Sequence, residues 1–219
     1  MNSSANVDIG EVFSHVSLSV VVNESSIYVD GSVNITVTAV NEDGYPVKYG
    51  MICIKVGDYE YPPFILDDSG NSVRSVIYSN VTPGNYSVTA NISCVLYHPV
   101  VNSTSFDINL IPTITTVNAV SGSVGAVTNV KATVVAGNGM VVNQGIVRFY
   151  CGEQELGSAN VANGNASIDV QFNGTIVDGR ITATYVDNSD VVLFNNSSSN
   201  NVVDSGVTNI APGTAHISM

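Results

Sequence analysis

The side chains that could carry out chemistry are few and lie far apart along the chain. His15, His98 and His216 fall in a leader, a loop and a tail, so they fit neither a metal cluster nor a catalytic triad. The sequence contains no nucleophile elbow, no phosphate-binding loop and no His-Glu-x-x-His motif. We therefore predict a protein that is not an enzyme and that needs no cofactor.

Acidic turns are the only ligand-like groups in the sequence. They supply four calcium candidates, which are Asp67, Asp68, Asp187 and Asp190. Oxygen-rich loops bind calcium, but Asp, Asn and Gly also form ordinary turns without a metal. Both interpretations stay open, and the plain turn is favoured.

Asn-x-Ser/Thr sequons are about twice as frequent as the composition predicts. The glycosylation candidates among them are Asn34, Asn80, Asn85, Asn91, Asn102, Asn165 and Asn173. Asn34 and Asn91 are predicted to point outward, because each lies between inward-facing apolar neighbours on a strand. The sequons favour a secreted, glycosylated surface. The alternative is that an Asn-rich and Thr-rich composition generates them without any function.

The three cysteines are an odd number and are sparsely placed, at Cys53, Cys94 and Cys151. Strand alternation predicts that Cys53 faces outward and Cys94 faces inward. Side chains on opposite faces of a sheet cannot be bridged without a bulge. Isolated thiols are therefore favoured over a Cys53–Cys94 disulfide.

The net charge of -12 comes from 18 acidic and only 6 basic residues. A chain this acidic repels nucleic acid and anionic lipid. No run approaches the 18 apolar residues that direct membrane insertion requires. With 44% apolar residues, however, the chain has enough apolar side chains to form folded cores.

The sequence repeats itself with a period of 95 residues. Five positions of the first half recur at that spacing, namely Gly44, Val47, Gly50, Gly57 and Gly84 as Gly139, Val142, Gly145, Gly152 and Gly179. Such a period indicates tandem modules, each about the size of a small β-sandwich domain. We divide the chain into a leader (1–14), module 1 (15–110), module 2 (111–205) and a C-terminal tail or linker (206–219).

Alternating apolar and polar residues between Gly, Pro, Asn and Asp turns predict an all-β fold with almost no helix. The predicted strands of module 1 are Val16–Val22, Ser32–Val40, Gly50–Val56, Val73–Tyr78, Asn85–Cys94 and Ser103–Leu110. Those of module 2 are Thr113–Ala119, Val127–Ala136, Gly145–Cys151, Asn165–Phe172, Arg180–Val186 and Ser197–Val203. The predicted core contains Ile35, Ile52, Ile54, Val88 and Ala90, with Val130, Val147, Phe149, Ala183 and Tyr185 in the second module.

Two stretches carry a family resemblance. Gly31–Gly50 is similar to the opening of the immunoglobulin-like modules (group 3 type) of bacterial and archaeal surface proteins, and Val81–Ala90 resembles their sixth strand. The combination resembles tandem modules in adhesin-like proteins of methanogenic archaea. The resemblance implies two tandem immunoglobulin-like β-sandwiches at a cell surface.

Some features depart from antibody-type domains, because the chain has no Trp and no cysteine pair between its sheets. Tyr86 is placed to form a tyrosine corner, whereas its counterpart in module 2 is Ile181. Lys55 and Lys131 fall on the polar phase of their strands and Lys48 lies in a turn. An intramolecular Lys–Asn cross-link, which needs a buried lysine, is therefore not expected.

The leading hypothesis is a non-enzymatic, extracellular stalk or adhesion module of a cell-surface protein. Its partners would be other surface proteins, cell-surface glycans or copies of itself. The alternative is a self-assembling subunit of a filament or surface layer, in which leader residues 6–13 add a strand to a neighbour's sheet. A carbohydrate-binding accessory ranks last, because its sugar site would need exposed aromatic rings.

Overall fold

The computed structural model describes residues 15–77, 82–93, 98–201 and 205–213. The chain divides into two compact units, unit 1 (Met1–Asn109) and unit 2 (Leu110–Met219). Within the described residues, regular structure consists of strands and a single 3-10 turn at Ser199–Asn201. No described helix is long and apolar enough to cross a membrane. The leader, with its predicted strand addition, lies outside the described residues.

Unit 1 is a sandwich of two sheets. Its strands are β1 (Val16–Val22), β2 (Ser26–Tyr28), β3 (Ser32–Asn41), β4 (Met51–Val56), β5 (Tyr59–Glu60), β6 (Phe64–Ile65), β7 (Asn71–Ile77), β8 (Gly84–Ser93) and β9 (Val100–Asn109). One sheet has the order β1-β3-β7. The other has the order β2-β9-β8-β4-β5, and β6 also pairs with β4.

Unit 2 has the same arrangement. Its strands are β10 (Thr113–Val117), β11 (Val120–Ser123), β12 (Val127–Ala136), β13 (Ile146–Cys151), β14 (Gln154–Asn160), β15 (Asn165–Gln171), β16 (Ile176–Val186), β17 (Ser197–Ser198) and β18 (Val207–Ala211). The sheets have the orders β10-β12-β15 and β11-β18-β16-β13-β14, and β17 pairs with β16. The predicted pair of tandem immunoglobulin-like sandwiches is therefore confirmed.

The sequence period of 95 is visible in the strand positions. β12 begins and ends 95 residues after β3, and β13 does so after β4. All ten predicted core residues are buried, among them Ile54 and its counterpart Phe149. Because both sheets turn an apolar face inward, each core is stabilised by aliphatic burial at about 25 cal/mol per Å².

The first strand of each unit is divided between the two sheets. In unit 1, β1 pairs antiparallel with β3, and β2 then pairs parallel with the last strand, β9. In unit 2, β10 pairs antiparallel with β12, and β11 pairs parallel with β18. The terminal strands of each sandwich therefore run side by side in the same direction. The sequence predicted neither β2 nor β11.

The segment divided off as a C-terminal tail or linker contains a strand, Val207–Ala211, with Ile210 buried. The predicted strand Ser197–Val203 is confirmed at Ser197–Ser198 and is replaced by the 3-10 turn at Ser199–Asn201, and residues 202–203 lie outside the described residues. Asn85 pairs with Asp107 in unit 1, whereas Arg180 pairs with Val207 in unit 2. The offset is 95 on one strand (180 − 85) and 100 on the other (207 − 107), so five residues are inserted before β18.

The five inserted residues fall within the segment 199–206, and the described part of this segment is bonded to the sandwich by polar contacts. The Arg180 guanidinium donates to the Ser205 carbonyl at 2.7 Å and to the Ser199 carbonyl at 2.8 Å. The Val117 N–H donates to the Ser205 hydroxyl at 2.7 Å. These bonds satisfy backbone groups that the interrupted last strand leaves unpaired.

The tyrosine corner predicted at Tyr86 is confirmed. The Tyr86 hydroxyl donates to the Thr82 carbonyl at 2.6 Å, and the ring stacks on Phe106 at 6.0 Å between centroids. Unit 2 has the buried Ile181 at the matching position. Instead, its buried Tyr185 donates to the Gln144 carbonyl at 3.1 Å.

We expect Tyr86→Phe to destabilise unit 1 by about 1 kcal/mol, the usual net value of one hydrogen bond. The ring and its contact with Phe106 are retained, so the loss reports the hydroxyl alone. Tyr28→Phe, at an exposed position, is the matched control. Urea denaturation followed by circular dichroism measures both, and equal stability of the two variants would contradict the prediction.

Candidate functional site

The two sequons predicted to face outward do so. Asn34 lies on β3 between the buried Val33 and Ile35, and its own side chain is exposed. Asn91 lies on β8 between the buried Ala90 and Ile92 and is likewise exposed. The strict alternation along these strands places both amides on the solvent side of their sheets.

The other sequons differ in what their side-chain amide nitrogens already bind. Asn85 Nδ2 donates to Asp107 Oδ1 at 2.9 Å, and Asn102 Nδ2 donates to the Leu18 carbonyl at 2.5 Å. Asn165 Nδ2 donates to the Asn163 carbonyl at 2.7 Å. These three Nδ2 atoms are therefore already engaged in hydrogen bonds within the folded protein. Asn173 is exposed after β15, and Asn80 lies outside the described residues.

The first pair of calcium candidates belongs to a tight turn. Asp67 Oδ1 accepts hydrogen bonds from the Ser69 N–H at 2.8 Å and from the Asn71 N–H at 2.9 Å. Asp68 is exposed, and its hydrogen bond with the Tyr49 hydroxyl raises the pKa of Tyr49. A carboxylate that caps backbone N–H groups in this way acts as a turn former.

The second pair is divided between a buried and an exposed carboxylate. Asp187 is only 7% exposed, whereas Asp190 is exposed. Asp187 Oδ2 accepts from the N–H groups of Leu193 at 2.9 Å and Phe194 at 3.0 Å. It also accepts from Gln144 Nε2 at 2.7 Å. Asp187 therefore organises the loop that follows β16.

Burial raises the pKa of Asp187, but the hydrogen bonds that it accepts outweigh burial and lower the pKa below its usual range. The donors, in order of effect, are Phe194, Leu193, Gln144 and Ser189. Burial and the nearby Asp187 carboxylate also raise the pKa of Tyr185. Within the part of the chain that the structure describes, no cluster of three or more His, Cys, Asp or Glu forms a metal site.

The loop organised by Asp187 also holds the first residues of unit 2. The Ile111 N–H donates to the Leu193 carbonyl at 2.9 Å, and the Asn195 N–H donates to the Ile111 carbonyl at 2.8 Å. Both Ile111 and Phe194 are buried. This parallel bridge and its link to Asp187 gave no signal in the sequence, because the contacts join segments more than 80 residues apart.

Sequence reasoning also missed exposed aromatic and apolar side chains on unit 1. Tyr45, Tyr49 and Tyr59 are exposed. Tyr59 and Tyr61 form an edge-to-face pair with ring centroids 4.7 Å apart. Tyr59 lies on β5 and Tyr61 between β5 and β6, two short strands that alternation did not predict.

Cys53 is a free, partly exposed thiol on β4 and takes no part in a disulfide, and Cys94 lies outside the described residues. Cys151 is also free. The three lysines, Lys48, Lys55 and Lys131, are exposed as predicted. None of them lies in a core where a Lys–Asn cross-link would form.

The outer face of the larger sheet of unit 1 carries an apolar patch, which we define as Met51, Cys53, Ile65 and Val101. Met51 is 44%, Ile65 64% and Val101 63% exposed. Met51 pairs with Ile65 across β4 and β6. Cys53 and Val101 pair with Asn91 from its two sides. The strand register thus assembles one surface from residues spread over 51 positions.

Comparison with known proteins supports the fold. No family model matches the chain, and no curated protein matches it either. Among solved structures, invasin, a bacterial integrin-binding protein, is 16% identical with a TM-score of 0.52. The match covers 90% of this chain and 40% of invasin, so the chain spans less than half the length of that protein.

Two further structures are more distant. Fibronectin(III)-like modules of Clostridium thermocellum CbhA match at 13% identity and a TM-score of 0.33, over 93% of this chain and 100% of theirs. The Yersinia pseudotuberculosis adhesin InvE matches at 14% identity and a TM-score of 0.37, over 89% of this chain and 63% of its own. The likeness to invasin, at 16% identity, supports the immunoglobulin-like fold alone.

Proposed function

We propose that the chain is a non-enzymatic, extracellular pair of modules that serves as the stalk or adhesion module of a cell-surface protein. The observation that carries the proposal is the parallel pairing of the first and last strands in each unit. Its partners are other surface proteins or cell-surface glycans. Invasin, an integrin-binding protein of the same fold, and the resemblance to adhesin-like proteins of methanogenic archaea both support this role.

Parallel terminal strands suit a chain under tension. In unit 1, β2 pairs with β9 from Ser26 with Asp107 to Tyr28 with Asn109. Tension on the two ends of the unit pulls these strands in opposite directions along their length. All the hydrogen bonds between them are then loaded together, in shear, instead of opening one after another.

Unit 2 has the same arrangement with an additional bond. The β11–β18 pair extends from Val120 with Thr208 to Ser123 with Ala211. Beyond it, the Val124 N–H donates to the Ala211 carbonyl at 2.9 Å. The bridge between Ile111 and Phe194 is also parallel and fastens the entering chain.

Pulling the full chain by its two ends tests the stalk proposal. We expect two unfolding events and a lower force for one of them in Val124→Pro, which removes the N–H next to the β11–β18 pair. The control is Val130→Ala, which creates a cavity in the core of unit 2 at a cost of about 2 kcal/mol. The proposal requires the proline variant to lower the unfolding force more than the alanine variant does. If the core variant has the larger effect on force, the terminal pair does not bear the load.

A further inference from the structure

We propose that an N-linked glycan at Asn91 lies on the outer sheet face of unit 1 and covers the apolar patch of Met51, Cys53, Ile65 and Val101. The inference rests on the extracellular location proposed above and adds a modification site with a defined role. The sugar that makes the contact is the first one, an N-acetylhexosamine linked to Asn91 Nδ2.

The patch is unusual for the face on which it lies. Next to the patch on the same sheet face, the outward residues of β8 and β9 are small and polar, namely Ser87, Thr89, Ser103 and Ser105. β4 and β5 contribute the charged pair Lys55 and Glu60 there. The exposed apolar side chains of this face are therefore confined to one end of the sheet, where they lie on both sides of Asn91.

Asn91 lies within that patch. The strand register places Asn91 directly opposite Cys53 on one side and Val101 on the other. Directly opposed Cβ atoms lie about 5 Å apart and diagonal ones about 7–8 Å. Met51 is the diagonal neighbour of Asn91, because it pairs with Ser93 two residues farther along β8. A sugar on Asn91 Nδ2 therefore begins within contact range of the patch.

The charge of the chain argues against a second copy as the occupant of the patch. With a net charge of -12, two copies repel each other. A sugar ring is uncharged, and its apolar face and N-acetyl methyl group match the exposed side chains beside Asn91, which are Met51 on one side and Val101 on the other. Its hydroxyl groups remain in water. The glycosylation sequon thus lies next to the apolar patch on the same sheet face.

Asn91 also differs from the neighbouring sequons of unit 1. The Nδ2 atoms of Asn85 and Asn102 donate hydrogen bonds that hold β9 to β8 and to β1. The Asn91 side chain makes no hydrogen bond with any residue that the structure describes. Modification of Asn91 therefore costs no hydrogen bond among the residues that the structure describes.

The test uses the full chain, secreted from a host that attaches N-glycans. The host must glycosylate Asn173, the exposed sequon of unit 2 that serves as the control. Mass spectrometry of peptides gives the occupancy of each sequon. An endoglycosidase then trims each glycan to its first N-acetylhexosamine. Thermal unfolding and amide hydrogen exchange of β4 and β8 are compared for the trimmed wild type, Asn91→Gln and Asn173→Gln. Light scattering records whether any form self-associates.

We expect Asn91 to be occupied and Asn91→Gln to lower the unfolding midpoint of unit 1 and the exchange protection of β4. If the sugar covers about 40 Å² of apolar surface, the unfolding midpoint of a domain of this size shifts by roughly 4–8 °C. Asn173→Gln should leave unit 1 unchanged. In the double variant Met51→Ser with Ile65→Ser, the glycan at Asn91 should no longer raise the midpoint of unit 1.

Three results would overturn the proposal. One is an unmodified Asn91 in chains whose Asn173 is occupied. The second is an occupied Asn91 whose removal changes neither the midpoint nor the exchange protection. The third is self-association of the wild type through the patch, abolished by the double serine variant, which would assign the surface to a second copy. The stalk proposal is judged separately, since its force measurement uses the unglycosylated chain.

Discussion

Gly206→Ala is expected to destabilise unit 2 strongly, with a loss of about 3–5 kcal/mol in the free energy of unfolding. Gly206 has a φ of +72°, where an L side chain costs about 1–2 kcal/mol. A Cβ at this position would overlap the Ile181 carbonyl oxygen. The backbone cannot move away, because the Ile181 N–H donates to the Gly206 carbonyl and the Gly206 N–H donates to the Val117 carbonyl.

Gly139→Ala is the matched control for this prediction. Gly139 also has a positive φ, +80°, but no atom lies within 4 Å of the Cβ that the substitution would add. It should therefore show the backbone cost alone, about 1–2 kcal/mol. Chemical denaturation together with amide hydrogen exchange of β12 and β13 assigns the loss to unit 2. Similar losses for the two variants would show that the contact with Ile181 does not constrain the fold.

Sequence alternation predicted the strands that bury one face. β1 and β12 match their predicted bounds residue for residue, because long alternating runs leave one choice of inward face. Turn residues such as Gly44 and Gly139, both with positive φ, mark the boundaries between them. The period of 95 residues then transferred each assignment from one unit to the other.

Two of the strands that the sequence did not predict, β2 and β11, are paired with partners far away in the chain. β2 and β11 are three and four residues long and are held in place by the last strand of their unit. The insertion before β18 breaks the period near Ser199, so the pattern from unit 1 no longer indicated where the last strand of unit 2 lies. The bonds from Arg180 to this segment depend on folded geometry and have no local sequence signature.

For the candidate sites too, the sequence of one strand predicted some features, and only the folded structure determines the others. The outward position of Asn91 follows from its buried neighbours in a single strand. The apolar patch around it depends on the register of four strands, which alternation alone does not determine. Likewise, the sequence identified Asp187 and Asp190 as one acidic turn, and only the fold distinguishes the buried carboxylate from the exposed one.

That distinction leads to a second large effect, in which Asp187→Asn destabilises unit 2 by about 2–4 kcal/mol at neutral pH. Hydrogen bonds to a charged group contribute about 1.5–3 kcal/mol, and the Asp187 carboxylate accepts four of them. Three of the bonds end on Oδ2 and one, from the Ser189 N–H, ends on Oδ1. An asparagine oxygen in the Oδ2 position accepts the first three without the charge, and the NH₂ group then faces the Ser189 N–H. Asp190→Asn removes the same charge at an exposed position and should stay within about 0.5 kcal/mol of the wild type.

The pH dependence of the same pair separates the charge of Asp187 from its shape. The folded state lowers the pKa of Asp187, so the unfolded chain takes up the proton first, near the ordinary value of about 3.9. The stabilisation is therefore fully present above about pH 5 and is lost as the pH falls through the folded-state pKa. Urea denaturation should show a smaller difference in the free energy of unfolding between wild type and Asp187→Asn at pH 3 than at pH 7. An equal difference in the free energy of unfolding at both pH values would mean that the charge of Asp187 does not stabilise the loop.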